Sequence, residues 1–201
     1  WLFGGEHGVG GACQAGAAVP HTKDPTTGLP AWSLYSGGTI AEHLDEMGFE
    51  NPAPLDSEFV DAKSPGRPTL AMLTGNNGKW YEPVDVILFD LQEIGSKTWT
   101  YMYTLADVMT ACVEANNYYA SKGEDHHVEF IVLDRPSSIS SGVVEGTMTT
   151  PENASGISRY PLPSRYGLTM GELAKLYQGE GYKNYWITGA PGSTANEYGE
   201  T

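Results

Sequence analysis

Val84-Asp-Val-Ile-Leu-Phe-Asp90 is the stretch that decides the fold. Its centre is apolar and β-branched, which is typical of a parallel strand buried on both faces. Apolar residues at helical spacing follow over residues 98–116, with Asn116 at the expected end of the helix. Glu129-Phe-Ile-Val-Leu-Asp134 is a second apolar run. A strand, a helix and a strand at this spacing predict a right-handed βαβ unit.

Further elements are predicted on both sides of this unit. Toward the N-terminus, residues 1–3 read as the end of a buried strand and residues 4–30 as a loop. Residues 31–35 form a strand candidate, and residues 39–47 have helical spacing. Toward the C-terminus, residues 169–178 predict a helix that Thr169 caps, with Glu172 completing a capping box. The pattern indicates an α/β fold with a mostly parallel sheet.

The composition limits the classes of partner that the protein can bind. The chain has 201 residues, with 25 acidic and 11 basic side chains and a net charge of -14. Such a field repels nucleic acid and anionic membrane surfaces. No apolar run approaches the roughly 20 residues that span a bilayer. We therefore expect neither a nucleic-acid nor a membrane partner, and the sequence leaves the pairing of Cys13 and Cys112 and the oligomeric state open.

Three acids stand where the carboxyl edge of the sheet is expected. Glu6, Asp90 and Asp134 each follow an apolar run. In a doubly wound sheet such positions converge on one crevice, so we expect the three side chains to share a site. The alternative is that a strand-end aspartate caps the next helix or binds loop amides.

The glycine-rich opening segment, residues 3–11, carries an adjacent Glu6–His7 pair. Glycine lets a ligand approach the main chain closely, so this pair is a candidate site. No second histidine or cysteine stands at ligand spacing from His7, and we expect no metal. The phosphate-loop and dinucleotide patterns are absent, and we expect no cofactor.

Aromatic side chains near the predicted strand ends suit a sugar site, because their faces pack on the C–H surface of a pyranose ring. Each of them is alternatively a core residue, as helical spacing already accounts for Tyr101. The candidates are Trp32, Tyr35, Trp99, Tyr101 and Tyr103.

Seven strings in the same order resemble the exo-β-N-acetylmuramidase family of peptidoglycan hexosaminidases. They are Phe3-Gly-Gly-Glu-His-Gly8, Thr27-Gly-Leu-Pro-Ala-Trp-Ser-Leu-Tyr35, Asp85-Val-Ile-Leu-Phe-Asp-Leu-Gln-Glu-Ile-Gly95, Thr98-Trp-Thr-Tyr101, Val132-Leu-Asp-Arg-Pro136, Val144-Glu-Gly146 and Tyr160-Pro-Leu-Pro-Ser-Arg-Tyr-Gly-Leu-Thr-Met-Gly-Glu-Leu-Ala174.

The resemblance implies a Rossmann-like domain, a mostly parallel sheet flanked by helices, over residues 1–178. It implies that this chain is an incomplete version of a two-domain protein, without the family's opening strand and helix. Residues 179–201 are then an irregular tail or the start of a truncated second domain. It also implies a secreted glycosidase, extracellular or periplasmic, that releases N-acetylmuramic acid from the non-reducing ends of peptidoglycan fragments such as a muropeptide or disaccharide.

The resemblance assigns roles to the site residues, with Glu6 as the catalytic acid. The other candidates for the reaction are His7, Asp134 and Glu145. The candidates for binding substrate are Asp90, Gln92, Trp99, Tyr101, Arg135, Arg165 and Tyr166, the last where a histidine is common in the family.

The chemistry required of these residues leaves several alternatives open. Arg135 and Arg165 suit the lactyl carboxylate of muramic acid, because a guanidinium matches a carboxylate bidentately. The alternative for Arg135 is an ion pair with a strand-end aspartate. Retention and inversion of the anomeric centre both remain open. A non-catalytic glycan-binding or structural protein that retains the fold is the alternative function, which the altered residues flanking Glu6 favour.

Overall fold

The computed structural model describes residues 2–4, 11–14, 19–34, 40–47, 53–59, 68–139, 142–150, 153 and 158–179. Within them the chain has a mixed α/β fold. Its strands are β1 (Leu2–Gly4), β2 (Thr22–Lys23), β3 (Pro30–Ser33), β4 (Val86–Phe89) and β5 (Glu129–Val132), and its helices are α1 (Ile40–Glu46), α2 (Leu70–Gly78), α3 (Tyr101–Lys122) and α4 (Met170–Gln178), with one 3-10 turn at Ser57–Phe59.

The chain divides into two compact units. The first comprises Trp1–Ile87 and Asp107–Ile131, and the second comprises Leu88–Ala106 and Val132–Thr201. The division crosses β4, α3 and β5, so each unit takes part of all three elements. The predicted limits of the domains, at residues 178 and 179, stay a prediction.

The first unit contains a three-stranded sheet with the order β1-β3-β2. β1 and β3, which lie in two predicted strand segments, pair in parallel with Leu2 opposite Ala31. β2 pairs antiparallel to β3 inside the stretch that the sequence predicts to be a loop. The backbone N–H of Ser33 donates to His21 Nδ1 at 3.1 Å, which ties the start of β2 to β3.

The core of this unit forms where β3 meets the surrounding helices. All four residues of β3 are buried, in agreement with the predicted strand. The apolar cluster consists of Trp32, Leu44, Met47, Phe59, Ala71 and Met72. Because Leu44 and Met47 come from α1 and the turn after it, the predicted helical spacing of residues 39–47 is confirmed.

β4 and β5 form a second, two-stranded sheet. The N–H of Glu129 donates to the Asp85 carbonyl at 2.8 Å, and that of Leu133 donates to Phe89 at 2.9 Å. Both strands advance in the same direction between these bonds, so the pair is parallel. The prediction that β4 is buried on both faces is wrong, since Val86 and Leu88 are exposed and Ile87 and Phe89 are buried. This alternation is typical of a strand with one face against the core.

α3 is longer than the sequence predicts and ends at Lys122 rather than Asn116. Asn116 is used to hold the chain that follows the helix. Its Nδ2 donates to the Val128 carbonyl at 3.2 Å, and the Val128 N–H donates to its Oδ1 at 2.7 Å. Because its amide is satisfied in this way, Asn116 does not act as a helix terminator. Cys112 lies buried in the same helix as a free thiol.

α4 begins as predicted. The Thr169 hydroxyl accepts from the N–H of Glu172 at 3.2 Å, and the Glu172 carboxylate accepts from the N–H of Thr169 at 2.9 Å. The rings of Tyr103 and Tyr160 stack with their centroids 6.0 Å apart. Among the described helices, none is both long and apolar enough to cross a bilayer.

Replacing Leu105 by Ala tests the contribution of α3 to the core. Leu105 is fully buried, so we expect Leu105→Ala to lower the free energy of unfolding by about 2–5 kcal/mol. On the same helix Val113 is 56% exposed. Val113→Ala is expected to change the free energy of unfolding by about 0.5 kcal/mol or less. Denaturant unfolding measures both, and equal losses would contradict the burial of this face of α3.

Candidate functional site

Asp90 and Arg135 meet at the carboxyl ends of β4 and β5. Asp90 follows directly on β4, and Arg135 stands three residues beyond the end of β5. The Nη2 of Arg135 donates to the carbonyl of Asp90 at 3.1 Å and also to its carboxylate. The ion pair that the sequence left open as an alternative for Arg135 therefore forms. Both side chains are about half exposed, so the pair remains accessible to a ligand.

Asp134, at the same end of β5, holds the N-terminus of α4. Its carboxylate accepts from the Thr169 hydroxyl at 2.7 Å and from the N–H of Gly171 at 2.8 Å. Partial burial opposes its ionisation, but the hydrogen bonds from Gly171 and Thr169 outweigh it and lower the pKa of Asp134. A Cβ at position 171 would lie 2.7 Å from the Asp134 Cγ, so this approach needs the glycine. Asp134 is therefore held as an anion that caps the next helix.

Glu145 and Arg165 form a second acid–base pair. Their main chains exchange two hydrogen bonds of 3.0 and 2.9 Å in an antiparallel bridge. The Nη1 of Arg165 donates to Glu145 Oε2 at 2.7 Å, and its Nε donates to the Ile139 carbonyl at 2.5 Å. Gly146 follows with a φ of +88°, and a Cβ there would lie 2.6 Å from the Ser164 Cβ. The pair is thus fixed in register by both the main chain and the side chains.

Glu93 is a buried acid that the sequence analysis missed. It is 1% exposed, and its Oε1 accepts from the N–H of Ile94 at 2.7 Å. Burial raises the pKa of Glu93 to about 7, against the lowering effect of hydrogen bonds from the main chain of Ile94, Met102 and Tyr101. Its Oε2 has no hydrogen-bond partner in the described part of the chain. The carboxyl therefore anchors the first turn of α3 while carrying a proton over part of the neutral range.

The other residues that the sequence predicts to bind substrate differ in how far they are exposed to solvent. Gln92 donates from Nε2 to the Glu93 carbonyl at 2.8 Å. Trp99 is exposed, whereas Tyr101 begins α3 and is partly buried. Tyr166 is buried, and burial raises the pKa of its hydroxyl. These residues all belong to the second unit, and their contact with substrate stays a prediction.

Glu6 and His7 lie outside the described residues, so the expected meeting of Glu6 with Asp90 and Asp134 stays a prediction. The described chain before them runs through β1 to Gly4, whose carbonyl accepts from the N–H of Leu34 at 3.0 Å. His21 and His43, which the sequence treats as scattered, have ring centroids 3.6 Å apart. Even so, no three His, Cys, Asp or Glu side chains of the described ranges are grouped to hold a metal ion.

Comparison with known proteins identifies the family. Residues 73–191 match the family model described as exo-beta-N-acetylmuramidase NamZ, N-terminal. The chain belongs to this family. It contains both strands of the β4–β5 sheet, the two acid–arginine pairs and Glu93 within the matched residues. The resemblance drawn from the seven strings is therefore confirmed.

Two relatives of this NamZ family chain show what share of a relative's length the chain covers. It is 35% identical over 179 residues to the peptidoglycan beta-N-acetylmuramidase NamZ of Bacillus subtilis (strain 168), covering 89% of this chain and 32% of that protein. The crystal structure of a DUF1343 family protein from Bacteroides fragilis NCTC 9343 matches 90% of this chain and 33% of its own, with 31% identity and a TM-score of 0.59. The chain thus spans about a third of the length of these relatives.

Replacing Glu93 by Gln tests its buried proton. A carboxyl whose pKa rises from 4.5 to about 7 on folding stabilises the fold fully below about pH 4.5, and this contribution is lost as the pH rises through about 7. We expect Glu93→Gln to remove this loss of stability at rising pH. Between pH 5 and pH 8 the free energy of unfolding of the variant should therefore rise by at most about 3 kcal/mol relative to that of the wild type.

The measurement is denaturant unfolding at several pH values, with Glu82→Gln as the matched control because Glu82 is exposed. The control should keep the wild-type dependence on pH. If the free energy of unfolding of Glu93→Gln depended on pH as it does in the wild type, the assignment of the proton to Glu93 would be contradicted.

Proposed function

We propose that this chain is part of a glycoside hydrolase that releases N-acetylmuramic acid from the non-reducing ends of peptidoglycan fragments. The observation that carries the proposal is its 35% identity to the B. subtilis peptidoglycan beta-N-acetylmuramidase over 179 residues. The parallel pairs β1–β3 and β4–β5, the latter joined through α3, support a Rossmann-like domain with a mostly parallel sheet.

Glu6 is the proposed general acid. Cleavage of a glycosidic bond needs a proton on the departing oxygen and charge stabilisation at an oxocarbenium-like carbon. Glu6 lies in a run of glycines that allows close approach of a sugar, and His7 stands next to it. A bound sugar would remove water from the carboxyl and so favour its protonated form.

The second charge in this mechanism comes from Asp134 or Glu145. Asp134 suits a role that needs a permanent anion, because its hydrogen bonds to Thr169 and Gly171 favour the ionised form. Glu145 is held by Arg165 in a fixed register. Because the hydrogen bonds of Asp134 lower its pKa, the proton donor is assigned to Glu6 rather than to Asp134.

Arg135 and Arg165 are the proposed contacts for the lactyl carboxylate of muramic acid. A protein with a net charge of -14 must offer a local cation to hold an anionic sugar. Each guanidinium already lies against one carboxylate, Asp90 or Glu145, so the substrate carboxylate would join or replace an existing pair. We place Gln92, Trp99, Tyr101 and Tyr166 on the sugar hydroxyls and ring faces.

The substrate fixes the compartment in this proposal. Peptidoglycan lies outside the cytoplasmic membrane, so the chain acts in an extracellular or periplasmic setting on a muropeptide or disaccharide.

A glycan-binding protein without catalytic activity is the second candidate. Gly5 precedes Glu6 where the resemblance to the family implies a proline. Incubation with a muramic acid–glucosamine disaccharide separates the two candidates, since a hydrolase releases free N-acetylmuramic acid. Saturable binding without release would favour the binding protein.

Glu6→Gln tests the general acid. The amide keeps the shape of the side chain and cannot donate a proton to the leaving oxygen, so we expect hydrolysis of a chromogenic N-acetylmuramic acid glycoside to fall by at least about 100-fold. Glu82→Gln, at an exposed glutamate outside the proposed site, should retain wild-type turnover. Undiminished turnover by Glu6→Gln would remove Glu6 from the acid role.

Arg135→Lys tests recognition of the lactyl group. Lysine keeps the positive charge beside Asp90 but loses the planar fork, so we expect KM for the N-acetylmuramic acid glycoside to rise about tenfold with kcat nearly unchanged. Competitive inhibition by N-acetylglucosamine, which lacks the lactyl carboxylate, should stay at the wild-type level. A parallel loss for both ligands would contradict a specific contact with the carboxylate.

A further inference from the structure

Lys97 is a partly buried residue beside the Glu145–Arg165 pair, and the sequence analysis did not select it. It stands between β4 and α3, one residue after Ser96, which forms an antiparallel bridge with Arg165. The N–H of Lys97 donates to the Ser164 carbonyl at 3.0 Å. All of these residues belong to the second unit. Lys97 is therefore joined through the main chain to the segment that carries Arg165.

The side chain of Lys97 holds the segment that follows Glu145. Its Nζ donates to the Thr147 carbonyl at 2.8 Å and to Thr149 Oγ1 at 3.2 Å. Gly146, between Glu145 and Thr147, has a φ of +88° and packs too closely on its neighbours to carry a side chain. Both ends of this short segment are therefore fixed, one by the antiparallel bridge at Glu145 and the other by the lysine.

The groups that surround Lys97 fix its own position. Thr149 is buried, and its hydroxyl lies 2.6 Å from the hydroxyl of Ser158. Tyr103, a buried residue of α3, donates from its hydroxyl to the Lys97 carbonyl at 3.1 Å. The lysine is thus held at its N–H, its carbonyl and its Nζ, and connected polar groups of this kind make a local structure more rigid.

The charge of Lys97 does not serve an ion pair. Four other basic residues, Lys79, Lys122, Arg135 and Arg165, each lie against a carboxylate. Among the residues that the structure describes, no acid is within ion-pairing distance of Lys97, and its Nζ is bonded to a carbonyl and a hydroxyl. Partial burial of a charge is unfavourable unless the charge is hydrogen-bonded. The contacts of Lys97 therefore fix the position of the main chain and do not neutralise a carboxylate.

We propose that Lys97 is a positioning residue for the Glu145–Arg165 pair. It holds the segment after Glu145 next to the segment that carries Arg165, so that the carboxylate and the guanidinium keep the register in which they face each other. The inference rests on the proposed function, in which these two side chains act on the substrate. A small displacement of a group that orients substrate is enough to slow a reaction.

The first test replaces Lys97 by Met, which keeps most of the length of the side chain and removes both of its hydrogen bonds. With a chromogenic N-acetylmuramic acid glycoside we expect kcat/KM to fall about tenfold, the effect of losing one charge-assisted hydrogen bond. Lys97→Arg keeps a charged donor and should retain at least about a third of the wild-type value. Lys79→Met, at an exposed lysine of the first unit, is the matched control and should keep wild-type turnover.

A double-mutant cycle with Glu145→Ala separates positioning from a general effect on the structure. Once Glu145 has been removed, Lys97→Met should lower kcat/KM by less than about twofold, because the pair that the lysine positions is already broken. Losses that multiply in the double variant would show that Lys97 acts elsewhere, and they would overturn the proposal.

NMR reports the position of the pair without hydrolysis. Arg165 Nε donates to the Ile139 carbonyl at 2.5 Å, so the ¹H–¹⁵N signal of this group is sensitive to a displacement of the arginine. We expect the signal to shift in Lys97→Met and to stay near its wild-type position in Lys97→Arg and Lys79→Met. An unmoved signal in Lys97→Met would overturn the proposal.

Two further outcomes are distinguished by the same measurement. If Lys97→Met does not fold, Thr149→Val takes its place, because it removes one of the two acceptors of the lysine. This variant should shift the Arg165 signal by a smaller amount, and an unmoved signal would again overturn the proposal. If the wild type releases no N-acetylmuramic acid and the signal still shifts, the proposed function fails while the positioning role of Lys97 is supported.

Discussion

The parallel pairing of β4 with β5 is the constraint on which the candidate site depends. Parallel strands end at the same edge of a sheet, so the residues that follow them become neighbours although they are far apart in sequence. The contact of Arg135 with Asp90 is the direct consequence. Asp134 leaves the same strand end and fixes the start of α4. The sheet is small, yet it sets the positions of both an acid–base pair and a helix.

Each described arginine of this site is matched by an acid. Arg135 lies against Asp90 and Arg165 against Glu145, in a protein whose net charge is -14. The pairs hold the guanidinium groups in place while their partial exposure leaves them within reach of a ligand. An anionic sugar would compete with a resident carboxylate for the same donors. The proposed recognition of the lactyl group therefore depends on geometry as much as on charge.

The sequence predicted the features that local patterns specify. The capping box of α4 and the strands β3, β4 and β5 follow from side-chain order alone, and all are present. The features it missed depend on distant contacts. The left-handed turn at the end of α2 relies on Asn76 reaching Pro54, and the raised pKa of Glu93 arises from burial among side chains of other segments. The exposed face of β4 was missed for the same reason. The composition of a strand does not show which of its faces other elements cover.

A crystal structure of the Glu6→Gln variant with a muramic acid–glucosamine disaccharide would show whether position 6 lies at the glycosidic bond. We expect the Gln side chain within hydrogen-bonding distance of the glycosidic oxygen, and the lactyl carboxylate against Arg135 or Arg165. A disaccharide bound with its glycosidic oxygen remote from position 6 would contradict this expectation.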